Sequence, residues 1–540
     1  MENQHTGGLR LRIPYPSEDH VPTADSQLGG RMARMARMAR MARMARMARH
    51  RVLSRCLPCL LALLACIHSV RAAAGGYYWG AKGARALGRA GAATARADDF
   101  SAVMLNPAGL ARVGTTLLQL GNRVSYNRQV YTRMPTLDWS DLDQGVPRYV
   151  EFDPVHNNLP WQPLDPMMGV VSNLGLRHWG FALGVQAPAG VAKQRFPASG
   201  GQRYMMLTRE AQFLYYTASV AWKLRDIVGV GATFQWIHVP TLRYELVVDA
   251  TQFPGHVNPV SSELDMRASI ESADPFTANA ILGIWYRPLA AFELAASGQL
   301  VPAQVKAHGS LRIEPVSTEI DDDVVLTRDG KAADDVTLTM PLPLSARVGV
   351  RYIHNVHHRE RFDLELDLTY ETWSVVQALI MDGNGLEGEL LGQRLDVGRI
   401  AIDKNWRDTI GVRVGGDFSL LPQRLTLRAG ISYESAASKP AYANVDFLGA
   451  RQLGASVGLS VYLRGLELAL AYSHRRQPAL RVRESESSVY QVVPGSQCRP
   501  PYADPLTCNE HYPGKPSAPA NAGTYEAAYH HASLGVIYRF

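Results

Sequence analysis

Few residues of this chain combine the type and the spacing that chemistry needs. Asp321-Asp322-Asp323 could attract a cation, but consecutive carboxylates lack the spacing of a calcium loop and read as a solvated loop. His354, His357 and His358 fall in a short turn between two strand-like runs; a zinc site is the sharper reading and a polar turn the plainer one. Cys498 and Cys508 share one polar loop, where a local disulfide is the natural reading in an exported chain, and a metal site would have only His511 nearby. Neither the phosphate-binding Gly-x-x-x-x-Gly-Lys loop nor His-Glu-x-x-His occurs. No catalytic residue, metal or cofactor is expected, and the chain does not read as an enzyme.

The remaining charges sit in alternating runs. Phe362, Leu364, Leu366, Leu368 and Tyr370 alternate with Asp363, Glu365, Asp367 and Thr369, so one strand face is apolar and the other mostly acidic. The same alternation puts Arg347 and Arg351 on the inward face of the preceding run, and Arg413 and Arg428 on that of later ones. Facing charges in a wet lumen would brace a wall and contact whatever it encloses, each exposed pair contributing at most about 1 kcal/mol. A ligand-gripping role for one of these Arg residues is the other reading.

Such runs recur at 115–127, 167–173, 178–186, 211–222, 227–239, 276–286, 291–301, 344–353, 362–373, 407–418, 424–433, 452–463, 466–474 and 528–540. Each approaches the nine to eleven residues that a tilted strand needs to cross a bilayer, and about fourteen strands is the even number that a single-chain bacterial barrel requires. The links alternate in length. Those at 174–177, 223–226, 287–290, 354–361, 419–423 and 464–465 are short and suit periplasmic turns. Those at 130–165, 240–275, 302–343, 374–406 and 475–526 are long and suit the outside. A secreted β-sandwich also alternates, but it predicts short loops at both ends. The expected fold is therefore all-β: a transmembrane antiparallel barrel of about 14 strands over 115–540. Its last strand carries Val536, Tyr538 and Phe540 on one face, which resembles the C-terminal signal read by the barrel-assembly machinery.

The leader stands apart. Residues 1–46 are polar and then low in complexity, with Arg-Met-Ala repeated six times from Arg31 to the final Arg49, so this stretch reads as disordered or as an over-extended start. Residues 47–74 read as a signal peptide, with basic Arg49, Arg51 and Arg55, an apolar core from Cys56 to Val70, and Ala72, Ala73 and Ala74 for cleavage. Cys56, Cys59 and Cys66 leave with it. The formal charge is +7, but residues 1–74 hold 12 of the 56 basic and 4 of the 49 acidic residues. The rest balances at 44 − 45 = −1, which implies no nucleic-acid partner.

Residues 75–114 lie between leader and wall. They are rich in small residues (Gly83, Ala84, Ala86, Gly88, Ala90, Gly91) and contain a turn, Asn106-Pro107-Ala108-Gly109, which suits a compact plug. The order of Tyr77, Tyr78 and Trp79, then Ala86-Leu87-Gly88-Arg89-Ala90, then Ala97-Asp98-Asp99, then Asn106-Pro107-Ala108, resembles the FadL/TodX outer-membrane transporters of long-chain fatty acids and aromatic hydrocarbons. The resemblance implies that 75–114 is the hatch inside the barrel, that Tyr77, Tyr78 and Trp79 lie near the ligand, and that Asn106, Pro107, Ala108 and Gly109 fix the hatch. It further implies a monomer in the Gram-negative outer membrane, surrounded by lipid and lipopolysaccharide. Long-chain fatty acids or similar hydrophobic compounds would be captured in an apolar pocket and released by hatch movement along a path leading sideways. Two alternatives stay open: an adhesive barrel working through its loops, and a diffusion porin.

Overall fold

Alternation along each run builds a wall that closes on itself. The computed structural model describes residues 76, 81–138, 148–188, 193–249, 260, 265–316, 324–390, 393–397, 399–490 and 519–540. The wall strands are β1 (Leu117–Arg133), β2 (Pro166–Ser172), β3 (Trp179–Gln186), β4 (Thr208–Leu224), β5 (Val228–Asp249), β6 (Asp265–Leu289) and β7 (Phe292–Gln299). They continue as β8 (Ser345–Val356), β9 (Arg359–Glu371), β10 (Thr409–Leu421), β11 (Leu425–Glu434), β12 (Gln452–Leu463), β13 (Leu466–Val482) and β14 (Gly523–Arg539). Each pairs antiparallel with its neighbours in sequence, and β14 returns to β1 from Leu117↔Arg539 to Arg133↔Gly523. At the level where β1 meets β2 and β3 meets β4, closure leaves the fourteen-stranded wall without an unpaired edge, which is what a strand protein needs in lipid.

The turns at one end are as short as expected. His357 and His358 alone join β8 to β9, with φ of 49° and 63°, and Arg464 and Gly465 join β12 to β13 with φ of 42° and 88°. Left-handed central residues match the twist of a tight hairpin. The outward face between the two ends is apolar, with Leu120, Val170, Leu183, Val230, Phe234, Leu282, Val350, Leu368, Val457 and Leu534 all exposed. Aromatic residues ring it, Trp222, Tyr286, Phe418 and Tyr538 at the turn end and Tyr216, Trp236, Phe276 and Tyr472 at the other. The C-terminus is tied into this rim, where the Phe540 amide donates to the Thr116 carbonyl at 3.0 Å.

The outer links differ from the open loops that the sequence suggests. β5 and β6 continue outward, through two shifts of register between Ile237 and Leu242, to Asp249↔Asp265, and Ala303–Pro315, Asp335–Leu342, Ala378–Asp382 and Arg399–Asp403 add further ladders above the lipid. These pieces point Leu246, Ile270, Val305, Leu338 and Met381 inward into one large apolar cluster. Burial of that cluster, with no lipid to help, is what orders them.

Candidate functional site

Residues 81–113 run inside the wall as two helical turns, Ala84–Gly88 and Ala102–Leu105, and a 3-10 stretch, Pro107–Arg112. Small side chains let this segment approach the wall, and the wall answers with glycines. The clearest case is Asn106. Its side-chain carbonyl accepts from the Ala108 amide at 3.1 Å, and its amide donates to the carbonyls of Thr94 and of Ile284 on β6, both at 3.1 Å. A Cβ on Gly283 would stand 2.1 Å from Asn106 Oδ1, and one on Gly231 would stand 2.5 Å from the Pro107 carbonyl carbon. Ala108 and Gly109 are packed equally tightly; a Cβ at Gly109 would meet the Ala97 carbonyl oxygen at 1.8 Å.

Charge binds the rest. Arg89, which caps the first helical turn, reaches Asp363 at 2.8 Å, Glu365 at 2.9 Å and Asp417 at 2.6 Å. Arg96 reaches Glu360 at 2.6 Å and Asp363 at 2.8 Å, and Arg112 reaches Glu293 at 3.2 Å. Asp367 accepts from the amides of Ala93 and Thr94 and from the Thr94 hydroxyl, and Glu365 accepts from the Ala95 amide at 2.6 Å. Within the wall, Arg351 bridges Glu293, Glu360 and Asp363, while Arg428 joins Asp417 at 3.1 Å and Glu467 at 3.5 Å. Arg413 donates to the Thr369 hydroxyl at 2.6 Å and to Glu434 at 3.3 Å. Arg347 lies on the same inward row, half-buried, with no ion pair among the described residues.

The structure therefore brings together Arg351, Asp363, Glu365, Asp367, Arg413 and Arg428, but in a dry setting. Asp363 and Arg351 are 4% and 1% exposed, so the value for exposed pairs does not apply; removing one partner of a buried pair costs about 3–5 kcal/mol. The sequence reading passed over the inner partners Lys82, Arg85, Arg89, Arg96 and Arg112, and the wall carboxylates Glu293, Asp417 and Glu467. A signal was available, because Glu293 and Glu467 are isolated acids at inward positions of otherwise apolar strands.

One sector of the wall is incomplete. β2 pairs with β1 only from Leu117 to Asn122, and β3 with β4 only from Trp222 down to Tyr215. Beyond them, short pieces at Val155–His156, Trp161–Gln162 and Gln194–Arg195 cover the gap between the outer halves of β1 and β4. A cavity of about 350 Å³ opens there, lined by residues that include Arg123, Asp165, Pro188, Lys193 and Phe213. At its edge Lys82 of the inner segment forms an ion pair with Asp165, whose other oxygen meets Arg123 at 2.5 Å. Burial pushes the Lys82 ammonium down to about 8 against the opposing pull of Asp165.

Ahead of the inner segment, Gly76 lies in the outer apolar cluster. It sits so close to Trp406 and Trp373 that a Cβ there would be 2.2 Å from the first ring. Those two indoles meet edge to face at 5.4 Å, with Phe447 beyond at 6.3 Å. Set in this apolar surround, Lys404 and Asp446 are fully buried and 2.5 Å apart, and the Tyr244 hydroxyl donates to the same carboxylate. Tyr77, Tyr78, Trp79, Cys498, Cys508 and Asp321 to Asp323 lie outside the described residues. His354 stacks on Phe362 at 4.8 Å. Gly454-Ala455-Ser456-Val457-Gly458 has the spacing of a hydrolase nucleophile elbow but runs straight along β12, with Ser456 opposite Ser473 and not on a strand-to-helix turn. Val536 and Tyr538 occupy the outward face of β14, and Phe540, one residue past its end, is exposed.

Residues 65–447 match the profile of the family described as outer membrane protein transport protein (OMPP1/FadL/TodX). Among solved structures the chain is similar to a Pseudomonas aeruginosa FadL homologue, at 16% identity and a TM-score of 0.65, covering 86% of this chain and all of that one. It is also similar to the Pseudomonas putida toluene transporter TodX (13% identity, 85% and 99% covered, TM-score 0.56) and to the Ralstonia pickettii toluene transporter TbuX (14%, 86% and 99%, 0.52). No curated protein matches the sequence.

Proposed function

The chain belongs to the OMPP1/FadL/TodX family of outer-membrane transport proteins, and from that premise we propose a route for its hydrophobic cargo that ends at the side of the barrel. The cargo, a long-chain fatty acid or a hydrocarbon of similar character, enters the apolar cluster near Trp373, Trp406 and Phe447. The segment 81–113 acts as a hatch. When Lys82 leaves Asp165, the cavity between the outer halves of β1 and β4 becomes continuous with the lumen and the cargo passes into the membrane.

The observation that carries this reading is the juxtaposition of an incomplete wall sector with a hatch residue ion-paired at its edge. Transport follows the ligand's own gradient, since capture in an apolar pocket and a movable plug need no cofactor. Tyr77, Tyr78 and Trp79 are proposed to contact the cargo, and Asn106, Pro107, Ala108 and Gly109 to hold the hatch. A hatch that fills the lumen argues against a diffusion porin.

The test is a reversible lock. Cysteines replacing Lys82 and Asp165, bridged by a short reducible bis-thiosulfonate cross-linker that spans the length of the lost Lys side chain, should abolish saturable uptake of a labelled long-chain fatty acid and of toluene, with reduction restoring it. Uptake unaffected by the lock, in a barrel shown to be folded in the outer membrane, would overturn the gate. No saturable uptake of either compound by the unaltered chain would overturn the transport reading and favour an adhesive barrel.

A further inference from the structure

We propose that the outward face of β12, β13, β14 and β1, at the outer edge of the apolar band, binds the phosphorylated headgroup of lipopolysaccharide. The inference does not depend on which compound the barrel carries or on the gate.

Strand register gathers cations there. On β13 the outward residues rise from Leu470 through Tyr472 and His474 to Arg476, and above an irregularity in the ladder Arg481 stands opposite Thr524. Arg476 faces Ala528 of β14, and Ala528 faces Arg128 of β1. Neighbouring strands are about 4.8 Å apart, so the backbones of Arg476 and Arg128 lie about 10 Å apart across a small residue. On β12's side Arg451 sits two residues before Leu453, which pairs with Arg476. Arg128, Arg451, Arg476 and Arg481 are all exposed, and Glu526 is the carboxylate among them, 3.8 Å from Arg128. Among the described outward residues of these paired strands, four guanidinium groups meet one carboxylate, and beyond them Arg483 is offset by Glu484 and Glu486, so the face is net positive.

Depth identifies the partner. One level closer to the turns, His474 and His530 stand 4.6 Å apart, the Tyr472 hydroxyl meets His530 Nδ1 at 2.7 Å, and Tyr126 packs edge to face on Trp161 at 4.9 Å. Such amphipathic rings mark the boundary between acyl chains and headgroups. The Arg residues lie just beyond it, on the side away from the short turns and hence in the outer leaflet. There the lipid is lipopolysaccharide, with phosphates at that depth, and Arg forks match phosphate oxygens. Elsewhere on the circumference the same level differs: β4 and β5 present the clustered rings of Tyr216, Trp236 and His238, and on β9 the Tyr370 hydroxyl meets Asp408 at 2.5 Å.

The purified full chain in neutral detergent is titrated with bis-phosphorylated lipid A, with the same lipid A stripped of phosphate, and with phosphatidylglycerol, and bound lipid is read by native mass spectrometry. The unaltered chain should prefer bis-phosphorylated lipid A by about tenfold or more over the other two, since each surface Arg adds roughly a fivefold factor near an anionic headgroup. Arg128→Gln/Arg476→Gln/Arg481→Gln should lose that preference, while Lys306→Gln/Arg312→Gln on the exposed outer ladder keeps it. If the triple variant fails to fold, Arg476→Gln alone should lower the preference about threefold or more, and Arg476→Lys by less. Equal binding of phosphorylated and dephosphorylated lipid A, equal binding of phosphatidylglycerol, or an undiminished preference in the folded variants would overturn the assignment.

Discussion

Arg89 of the hatch and Asp363 of β9 are 274 residues apart in the chain, yet their side chains meet at 2.8 Å inside the barrel, where neither is more than 4% exposed. One hatch guanidinium donates to three wall carboxylates at once. We expect Arg89→Ala to leave Asp363, Glu365 and Asp417 short of a partner and to destabilise the assembled barrel by about 3–5 kcal/mol, seen as an earlier midpoint in urea. Arg89→Lys should recover little of the loss, because an ammonium cannot reproduce a planar fork that reaches Asp363 and Asp417 with one nitrogen and Glu365 with the other. A midpoint unchanged in both variants would show that the wall does not need the hatch cation.

Hatch docking should be separable from barrel assembly at the glycines. A side chain at Gly283 enters the space of Asn106 and pushes on the hatch, while the ladder of β6 with β5 and β7 uses only backbone groups there. Gly283→Val should therefore give a barrel that inserts and resists heat as usual but conducts ions in planar bilayers, at a level well above the unaltered chain. A variant as closed as the unaltered chain would mean that the hatch is not held through Asn106.

The wall was legible because period two, the short turns and the alternating link lengths all follow from lipid on one side and a confined interior on the other. The charged residues of the wall were legible for the same reason: Asp363, Glu365 and Asp367 interrupt an apolar run at inward positions. What the sequence hid was dryness. Nothing local to Asp363 tells that Arg89 and Arg96 will cover it, because the pairing is long-range and depends on how the hatch folds back. The outer ladders were hidden differently. Segments such as Ala378–Asp382 are too short to be told from loops until their partners across the rim are known.

Lys82 supplies a pH dependence whose sign follows from burial. Its ammonium titrates near 8 when docked, against 10.5 in water, so between those values the undocked hatch holds more protons than the docked one. Raising pH through that window favours docking, and below pH 8, where both states are protonated, docking is insensitive to this group. The ¹³Cε resonance of Lys82 should show a midpoint near 8, and in Asp165→Asn, which loses the carboxylate holding the proton on, the midpoint should fall further. A midpoint near 10.5 would mean that Lys82 is not buried at the edge of β2.

The outer chamber offers the sharpest separation of structural from ligand-binding charge. Lys404 and Asp446 neutralise each other at 2.5 Å with no exposed surface, in a surround of Trp373, Trp406 and Phe447. Burial lowers the Lys404 pKa against the opposing pull of Asp446, and the ammonium's contact with that carboxylate is what the pair relies on to stay charged. Lys404→Met alone strands Asp446 beside the Tyr244 hydroxyl and should cost about 3–5 kcal/mol; Lys404→Met/Asp446→Leu removes both charges and should recover most of it, because a well-packed apolar pair replaces a buried ion pair at little loss. Because the cation is already satisfied, fatty-acid uptake by the double variant should match that of the unaltered chain. Were Lys404 to grip a ligand carboxylate, the double variant would regain its stability and still lose fatty-acid uptake, while toluene uptake stayed intact.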